Sequence, residues 1–199
     1  MPTSKKQPGI ELRRGGRRVY LRAPRPDDRA RFLAAAKVSQ QLHAGWVRAP
    51  ATPALFRAYI ERFAGARSRD PNHATHAGFV VLRVDDDALV GVFNLSEIVR
   101  GSFQSAYLGY YAFAPLAGEG YMAEGLSLAL GAAFGAMRLH RVEVNVQPDN
   151  ERSLAFVRDA GFVREGFSRR YVKIAGRWRD HLRFAMLAED WRARERKTR

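Results

Sequence analysis

Residues 110–124 read YYAFAPLAGEGYMAE and form the most informative segment of the chain. An aromatic strand is predicted to run into a short loop with two glycines, and a long helix begins at once. Gly118 and Gly120 let the backbone approach a ligand closely, and the first amides of a helix have no partner within it. These free donors and the positive end of the helix dipole favour an anion. A plain strand–turn–helix connection accounts for Gly-x-Gly equally well, so the surrounding sequence has to decide.

The segment differs from two common phosphate-binding loops. No Gly-Lys-Ser/Thr follows, as a Walker loop requires, and the third glycine of a dinucleotide fingerprint is replaced by Ala123. The helix behind the loop carries one apolar stripe with steps of three or four residues, formed by Met122, Leu126, Leu130, Phe134 and Met137.

Strands and helices interleave along the rest of the chain, which predicts an α/β fold with antiparallel hairpins. The predicted strands are Val19–Arg22, Phe79–Val84, Leu89–Leu95, Ala106–Phe113, Val142–Val146, Phe162–Ile174 and Trp178–Leu187. The other predicted helices run from Pro26 to about Leu42, behind Thr52-Pro53, and from about Asn150 to Ala160. We expect a basic flexible leader over residues 1–16, one domain over 17–191 and a charged tail over 192–199.

Composition narrows the class of protein. The 199 residues carry 34 Lys and Arg against 20 Asp and Glu, a formal net charge of +14, which favours anionic partners such as RNA, a ribosome surface or an anionic cofactor. A solvated basic surface explains the charge equally well. The absence of cysteine excludes disulfides and a covalent Cys intermediate. No apolar run approaches the roughly 18 residues of a membrane helix, and no secretory signal is recognised, so we expect a cytoplasmic protein.

A second motif lies some thirty residues after the glycine loop. It comprises Asn150-x-x-Ser153 followed by Gly161-Phe162. Together with the strand–loop–helix segment it resembles motifs A and B of the GNAT superfamily of N-acetyltransferases. Within that superfamily the chain is most similar to the RimJ/RimL group, which acetylates N-terminal amines of ribosomal proteins. The further matching segments are residues 94–101, 107–110, 165–166 and 176–181, and the resemblance covers roughly Val19 to Trp191.

The resemblance implies a GNAT fold, with a central, mostly antiparallel sheet of about seven strands flanked by helices. Strands four and five, here Ala106–Phe113 and Val142–Val146, are expected to splay apart and to take the pantetheine of acetyl-CoA between them. No metal is expected. The residues implied to bind acetyl-CoA are Tyr111, Ala112, Phe113, Ala117, Gly118, Glu119, Gly120, Tyr121, Met122, Asn145, Asn150 and Ser153.

The resemblance also implies catalytic residues. Ser153 corresponds to a serine that RimL-like relatives use as proton donor to the departing thiolate, although a hydroxyl at a helix start explains it too. Asn150 equally fits a simple helix N-cap. Glu97, at the end of the strand before the Arg100-Gly101-Ser102 turn, is the candidate base, with a surface carboxylate as the alternative.

The sequence departs from the family at several positions. Ala117 and Glu119 stand where the loop usually has Gln or Arg and a basic residue. Val157 replaces a frequent general-acid Tyr, and Val172 replaces the base of RimL-like enzymes. Because the loop amides remain, we still expect the diphosphate to bind.

The expected reaction is direct attack of a neutral primary amine on the thioester of acetyl-CoA. The expected acceptor is the N-terminal amine of a protein, of the ribosomal-protein alanine type, with Asp180 and His181 as further candidates to orient it. Two alternatives remain: acetylation of a small amine, or a basic RNA- or ribosome-binding factor on a GNAT scaffold. A monomer and a homodimer are both compatible with the sequence.

Overall fold

The computed structural model describes residues 11–63, 74–114 and 116–197. Within these residues, eight strands form one sheet in the order β1-β2-β3-β4-β5-β6-β8-β7. All neighbours are antiparallel except β5 and β6, which are parallel. The strands are β1 (Glu11–Leu12), β2 (Val19–Arg22), β3 (Ala77–Arg83), β4 (Leu89–Val99), β5 (Ser105–Ala112), β6 (Arg141–Val146), β7 (Val163–Ile174) and β8 (Arg177–Leu187).

The described helices connect or flank these strands. They are α1 (Arg29–Val38), α2 (Gln40–His43), α3 (Pro53–Arg62), α4 (Tyr121–Gly131), α5 (Glu151–Asp159) and α6 (Ala188–Lys197). A 3-10 turn at Pro26–Asp28 precedes α1, and a π-helical turn at Ala132–Ala136 extends α4. Thr52 caps α3, since its side chain accepts a hydrogen bond from the amide of Leu55 at 3.2 Å. No helix among the described residues is both long and apolar enough to cross a membrane.

Helices cover both faces of the sheet. In β3, Phe79 and Val81 belong to one apolar cluster, which contains the buried residues of α4 and α5, while Val80 and Leu82 belong to a second, which contains those of α1 and α3. Because successive strand residues point to opposite faces, the two clusters lie on opposite sides of the sheet. The predicted α/β fold with a mostly antiparallel sheet is therefore confirmed.

The sheet opens between β5 and β6. The two strands pair only where Ser105–Tyr107 lie opposite Arg141–Glu143. Beyond these residues β5 continues to Ala112 and β6 to Val146 without pairing to each other. These are the strands expected to splay as four and five, and the gap between them positions the candidate site.

A buried ion cluster connects β2 to the start of α1. Both oxygens of Asp28, a residue with no exposed surface, accept hydrogen bonds from Arg22 at 2.6 and 2.8 Å. The amide of Arg25 and the guanidinium of Arg31 also donate to the same carboxylate. Burial opposes ionisation, but these donors outweigh it and lower the pKa of Asp28.

The structure differs from the sequence-based boundaries in three places. An eighth strand, β1, lies within the predicted leader and pairs with β2; two residues are too few to show an alternating pattern. Helix α6 runs to Lys197, into the predicted tail, while residues 1–10 and 198–199 lie outside the described residues. The helix predicted from Pro26 to Leu42 is interrupted at Ser39, whose hydroxyl donates to the carbonyl of Ala35 at 2.7 Å.

Candidate active site

The loop before α4 presents unpaired backbone amides. Gly118 and Gly120 have φ of +96° and +80°, in the left-handed region that favours glycine. The first hydrogen bonds of α4 come from the amides of Ala123 and Glu124, which both donate to the carbonyl of Gly120 at 3.1 and 3.4 Å. Within the described part of the chain, the amides of residues 118–122 donate to no protein group. Such a set of donors at a helix N-terminus binds an anion.

Arg18 fixes this loop from the outside. Its guanidinium donates to the carboxylate of Glu124 at 2.6 Å and to the carbonyl of Glu119 at 3.0 Å, and lies over the ring of Tyr121 at 4.4 Å. Since the peptide unit between Glu119 and Gly120 is planar and trans, its N–H points away from Arg18. Arg18 therefore holds the loop in a conformation that leaves the Gly120 amide available.

A large cleft of about 950 Å³ opens beside this loop. Its walls come from the end of β5, the loop with the first turn of α4, the start of α5, and the segment from Val38 to Val47. Eight of the predicted binding residues line the large cleft: Tyr111, Ala112, Ala117, Gly118, Gly120, Met122, Asn150 and Ser153.

Four predicted binding residues do not line the large cleft. Phe113 is only 1% exposed and packs in the cluster with α1 and α3. Glu119 and Tyr121 contact Arg18 on the outer side of the loop, through a carbonyl and a ring respectively. Asn145 lines a separate small cavity. A match to a motif does not show which way each side chain points. In the strands this is set by the alternation of successive residues, and in the loop by the backbone conformation.

The edge of β5 that faces the cleft has backbone groups available for a ligand. The amide of Phe113 donates to the carbonyl of Val90 at 2.7 Å, towards β4. Because successive strand residues direct their backbone groups to opposite sides, those of Ala112 and Tyr110 point away from β4. The carbonyl of Ala112 contacts Nε2 of His43 at 2.8 Å, and since a carbonyl only accepts, Nε2 of this buried histidine carries the proton.

The small cavity, of about 130 Å³, lies in the gap between β5 and β6. It shares five lining residues with the large cleft: Trp46, Val47, Tyr110, Asn150 and Ser153. The hydroxyls of Tyr110 and Ser153 lie 2.6 Å apart, at the place where the two spaces meet. Burial raises the pKa of Tyr110 to about 12, so its hydroxyl stays protonated at neutral pH.

Asn150 and Asp180 have structural contacts. The side-chain oxygen of Asn150 accepts a hydrogen bond from the amide of Ser153 at 3.1 Å, so Asn150 is the N-cap of α5. Asn150 also lines both spaces, so this cap positions Ser153 at their junction. Asp180 accepts a hydrogen bond from the amide of Arg170 at 2.7 Å across the β7–β8 hairpin.

The candidate base Glu97 lies away from both spaces. It occupies an irregular part of β4 with φ of +48°, and its carboxylate is 64% exposed and 3.5 Å from Nε2 of His76. This part of β4 pairs with the start of β5, where β5 and β6 are still joined. The irregular pairing displaces the residue from the alternation of the strand, which the sequence did not indicate. Glu97 therefore lines neither the large cleft nor the small cavity.

Sequence reasoning missed the wall formed by α2 and the segment after it. Gln41, His43 and Trp46 line the large cleft, as does Tyr110 in β5. The sequence signal for this wall was a histidine and a tryptophan, His43 and Trp46, close together in a linker. Tyr110 was read as part of an aromatic strand, and only the position of α5 shows that its hydroxyl meets Ser153.

The site fits an extended ligand with a diphosphate. Gly118, Gly120 and Met122, whose amides are free, line the large cleft, and a Cβ added at Gly118 meets no atom within 4 Å, so this backbone is open to a ligand. Arg152, at the start of α5, also lines the cleft. No group of three or more His, Cys, Asp or Glu side chains suited to a metal is found in the parts of the chain that the structure describes.

Comparison with known proteins agrees with this geometry. Residues 18–163 match the family model described as "Acetyltransferase (GNAT) domain". The protein named Probable N-acetyltransferase YjcK of Bacillus subtilis (strain 168) is 39% identical over 112 residues, which are 56% of this chain and 62% of that protein. The ribosomal protein uS5-alanine N-acetyltransferase of Escherichia coli (strain K12) is 38% identical over 107 residues, 54% of this chain and 55% of that protein. The matched segments span less than two thirds of either relative.

A solved structure extends the likeness to nearly the whole chain. Mycobacterium smegmatis RimJ in complex with CoA-disulfide superposes with a TM-score of 0.77 and 28% sequence identity. The match covers 91% of this chain and 87% of that one.

Proposed function

Since the chain belongs to the GNAT acetyltransferase family, we propose that it transfers the acetyl group of acetyl-CoA to a primary amine by direct attack. The observation that carries this proposal is a continuous path. The large cleft begins at the free amides of residues 118–122 and meets the small cavity at Tyr110 and Ser153. One molecule can therefore place a diphosphate at the loop and a thioester at the junction.

The chain's own groups account for binding. The amides of residues 118–122 hold the diphosphate, and Arg152 adds a positive charge beside it. The open edge of β5 offers the amides of Tyr110 and Ala112 and the carbonyl of Tyr110 to the pantetheine, while the carbonyl of Ala112 is held by His43. An amide on this edge also stabilises the negative charge that develops on the thioester oxygen during attack.

Ser153 and Tyr110 assist the leaving group. Acetyl-CoA, when bound, supplies a thioester whose departing thiolate has a reference pKa of about 8.5. If Tyr110 donates to Ser153, the hydroxyl hydrogen of Ser153 is left to bond the departing sulfur. Because burial keeps Tyr110 protonated at neutral pH, its hydroxyl hydrogen is available for this arrangement.

The proposed acceptor is the N-terminal amine of a protein, of the ribosomal-protein alanine type. An α-amino group has a pKa of about 8, so a useful fraction is neutral near pH 7. Among the described residues, no carboxylate lines the small cavity. Because a polycationic substrate needs negative charges to pair with, this lining favours a single neutral amine. The similarity to the Escherichia coli enzyme named for uS5 alanine supports the same acceptor class.

Two experiments test the proposal. Calorimetry should detect acetyl-CoA binding, and the absence of binding contradicts it. Mass spectrometry should then detect acetylation within a panel of peptides that begin with Ala or Ser, tested beside blocked peptides, polyamines and amino acids. Acetylation confined to the small amines supports the second acceptor class. Salt-dependent RNA binding without any acetylation supports an RNA-binding role.

A further inference from the structure

His181 is a buried histidine in the gap between the splayed strands. It lies in β8, is 4% exposed and lines the small cavity together with Asn145 and Ser153. Its neighbour Leu182 pairs with Val146, the last residue of β6. Because Tyr110 and Ser153 line the same small cavity, the imidazole is close to the junction where the thioester is proposed to lie.

The hydrogen bonding of His181 fixes its tautomer. Nδ1 lies 3.0 Å from the carbonyl oxygen of Arg179. Because a carbonyl only accepts, Nδ1 carries the hydrogen and Nε2 keeps a lone pair. Nε2 has no hydrogen-bond partner in the described part of the chain. The ring therefore has a basic nitrogen that the fold itself does not use.

We propose that His181 is the general base that takes the proton from the acceptor amine, an inference that rests on the proposed acetyl transfer. The amine nitrogen forms a bond to the thioester carbon, the carbon–sulfur bond breaks, and its electron pair leaves on sulfur. The amine proton passes to Nε2 of His181 and then to solvent. No oxidant, reductant or further co-reactant is required.

The surroundings suit a base that is neutral at rest. Burial lowers the pKa of His181, against the opposing effects of the Arg179 carbonyl and the nearby Asp180 carboxylate. The ring therefore holds no proton on Nε2 near pH 7, while Asp180 stabilises the imidazolium once it forms. From β7, the ring of Tyr171 lies 5.9 Å away, and Arg183 lies on the same face of β8.

Asn145 offers a way to orient the amine. Its side-chain oxygen is buried without a hydrogen-bond partner among the described residues, and the residue lines the same cavity. An amine N–H that donates to this oxygen satisfies it and keeps the nitrogen within the cavity. Asn145 is thus a positioning residue in this proposal, whereas His181 accepts the proton.

The test uses the full chain, acetyl-CoA and a peptide with a free N-terminal alanine. His181→Asn retains an amide donor for the Arg179 carbonyl but removes the base. We expect kcat at pH 7 to fall about 10²–10⁴-fold while acetyl-CoA affinity, measured by calorimetry, stays the same. His140→Asn is the matched control, since His140 is exposed beside Glu189, and it should leave kcat unchanged.

A second variant separates chemistry from structure. Added imidazole should restore part of the kcat of His181→Ala, with a rate that follows the neutral fraction of imidazole across the pH range. Thermal melts confirm that both variants fold. Unchanged kcat in His181→Asn, or a loss in His181→Ala that imidazole does not restore, would overturn the proposal.

A measurement without turnover tests the same claim. Imidazole nitrogen NMR of the full chain should show a hydrogen on Nδ1 of His181 and a pKa below about 6.5. A hydrogen on Nε2 overturns the inference even if the enzyme is active. A chain that binds no acetyl-CoA refutes the proposed function instead, so the two failures are distinguishable.

Discussion

The hydroxyl pair of Tyr110 and Ser153 gives the most informative mutational test of the site. The two oxygens are 2.6 Å apart at the junction of the large cleft and the small cavity. If they act as one chain of donors towards the departing sulfur, then removing Ser153 disconnects Tyr110 as well. The variants are Ser153→Ala, Tyr110→Phe and the double variant.

The expected magnitudes follow from the chemistry of the leaving group. Proton donation contributes about 10²–10⁴-fold in general, and the lower end applies to a thiolate with a pKa of about 8.5. We therefore expect Ser153→Ala to lower kcat about 10²-fold, or about 2.7 kcal/mol in the barrier. Tyr110→Phe only loosens the hydroxyl of Ser153, which we expect to cost about 10-fold, or about 1.4 kcal/mol.

The double variant distinguishes a chain from two separate groups. A connected pair predicts that it resembles Ser153→Ala alone, at about 10²-fold, whereas independent groups predict about 10³-fold. The assay is thiol release from acetyl-CoA, with kcat and KM separated. Tyr59→Phe is the control, since it also removes a buried phenol that bonds a side-chain oxygen, that of Asn94 at 2.9 Å, outside the site. Additive losses, or a rise in KM at constant kcat, would refute the reasoning.

Three further predictions concern the loop, the cleft and the fold. Gly120→Val should abolish acetyl-CoA binding in calorimetry, because Gly120 has a φ of +80° and the side chain of Arg18 lies 3.2 Å from the added Cβ. Gly176→Val is the control: Gly176 has a similar φ of +81° with no atom within 4 Å of the added Cβ, and this variant should bind acetyl-CoA normally. Arg152→Gln should raise the KM for acetyl-CoA severalfold at low salt and less at high salt, since screening weakens the wild-type contact; equal effects at both salt concentrations would argue against a charge contact. Asp28→Asn should lower the free energy of unfolding by about 3–5 kcal/mol in urea titrations at pH 7, because it leaves buried arginine charge uncompensated. Folding lowers the pKa of Asp28, so the stabilisation by its carboxylate is present above pH about 4 and is lost as the pH falls through the pKa of the folded protein. The difference in free energy of unfolding between the wild type and Asp28→Asn should therefore become smaller in acid.

Much of the fold was predictable because the decisive elements carry strong periodic signals. The apolar stripe that begins at Met122 and the two glycines before it located α4 and its N-terminus correctly. The hairpin strands β3 and β4 were also identified from their composition, although β4 runs on to Val99. The strand β1 was missed because two residues carry no periodicity, and its pairing depends on β2.

The candidate site was only partly predictable, because it depends on contacts between distant segments. The loop glycines follow from local sequence, and Ser153 follows from the resemblance of Asn150-x-x-Ser153 to the second motif of the family. The bond from Ser153 to Tyr110 joins residues 43 positions apart, and the contact of His43 with the Ala112 carbonyl joins residues 69 positions apart. Glu97 lines neither space, and the register shift between Ser96 and Val99 that interrupts the pairing of β4 there was not indicated by the sequence.

The proposed acetyl-CoA binding depends on the amides of residues 118–122, so their response to coenzyme A is the decisive observation. Amide NMR spectra of the full chain, titrated with coenzyme A, report each of these groups separately. If the loop binds the diphosphate, the signals of Gly118, Gly120 and Met122 shift strongly, with little change at Gly176 on the distant hairpin. Unchanged signals from this loop, at concentrations where calorimetry detects binding, would contradict this proposal.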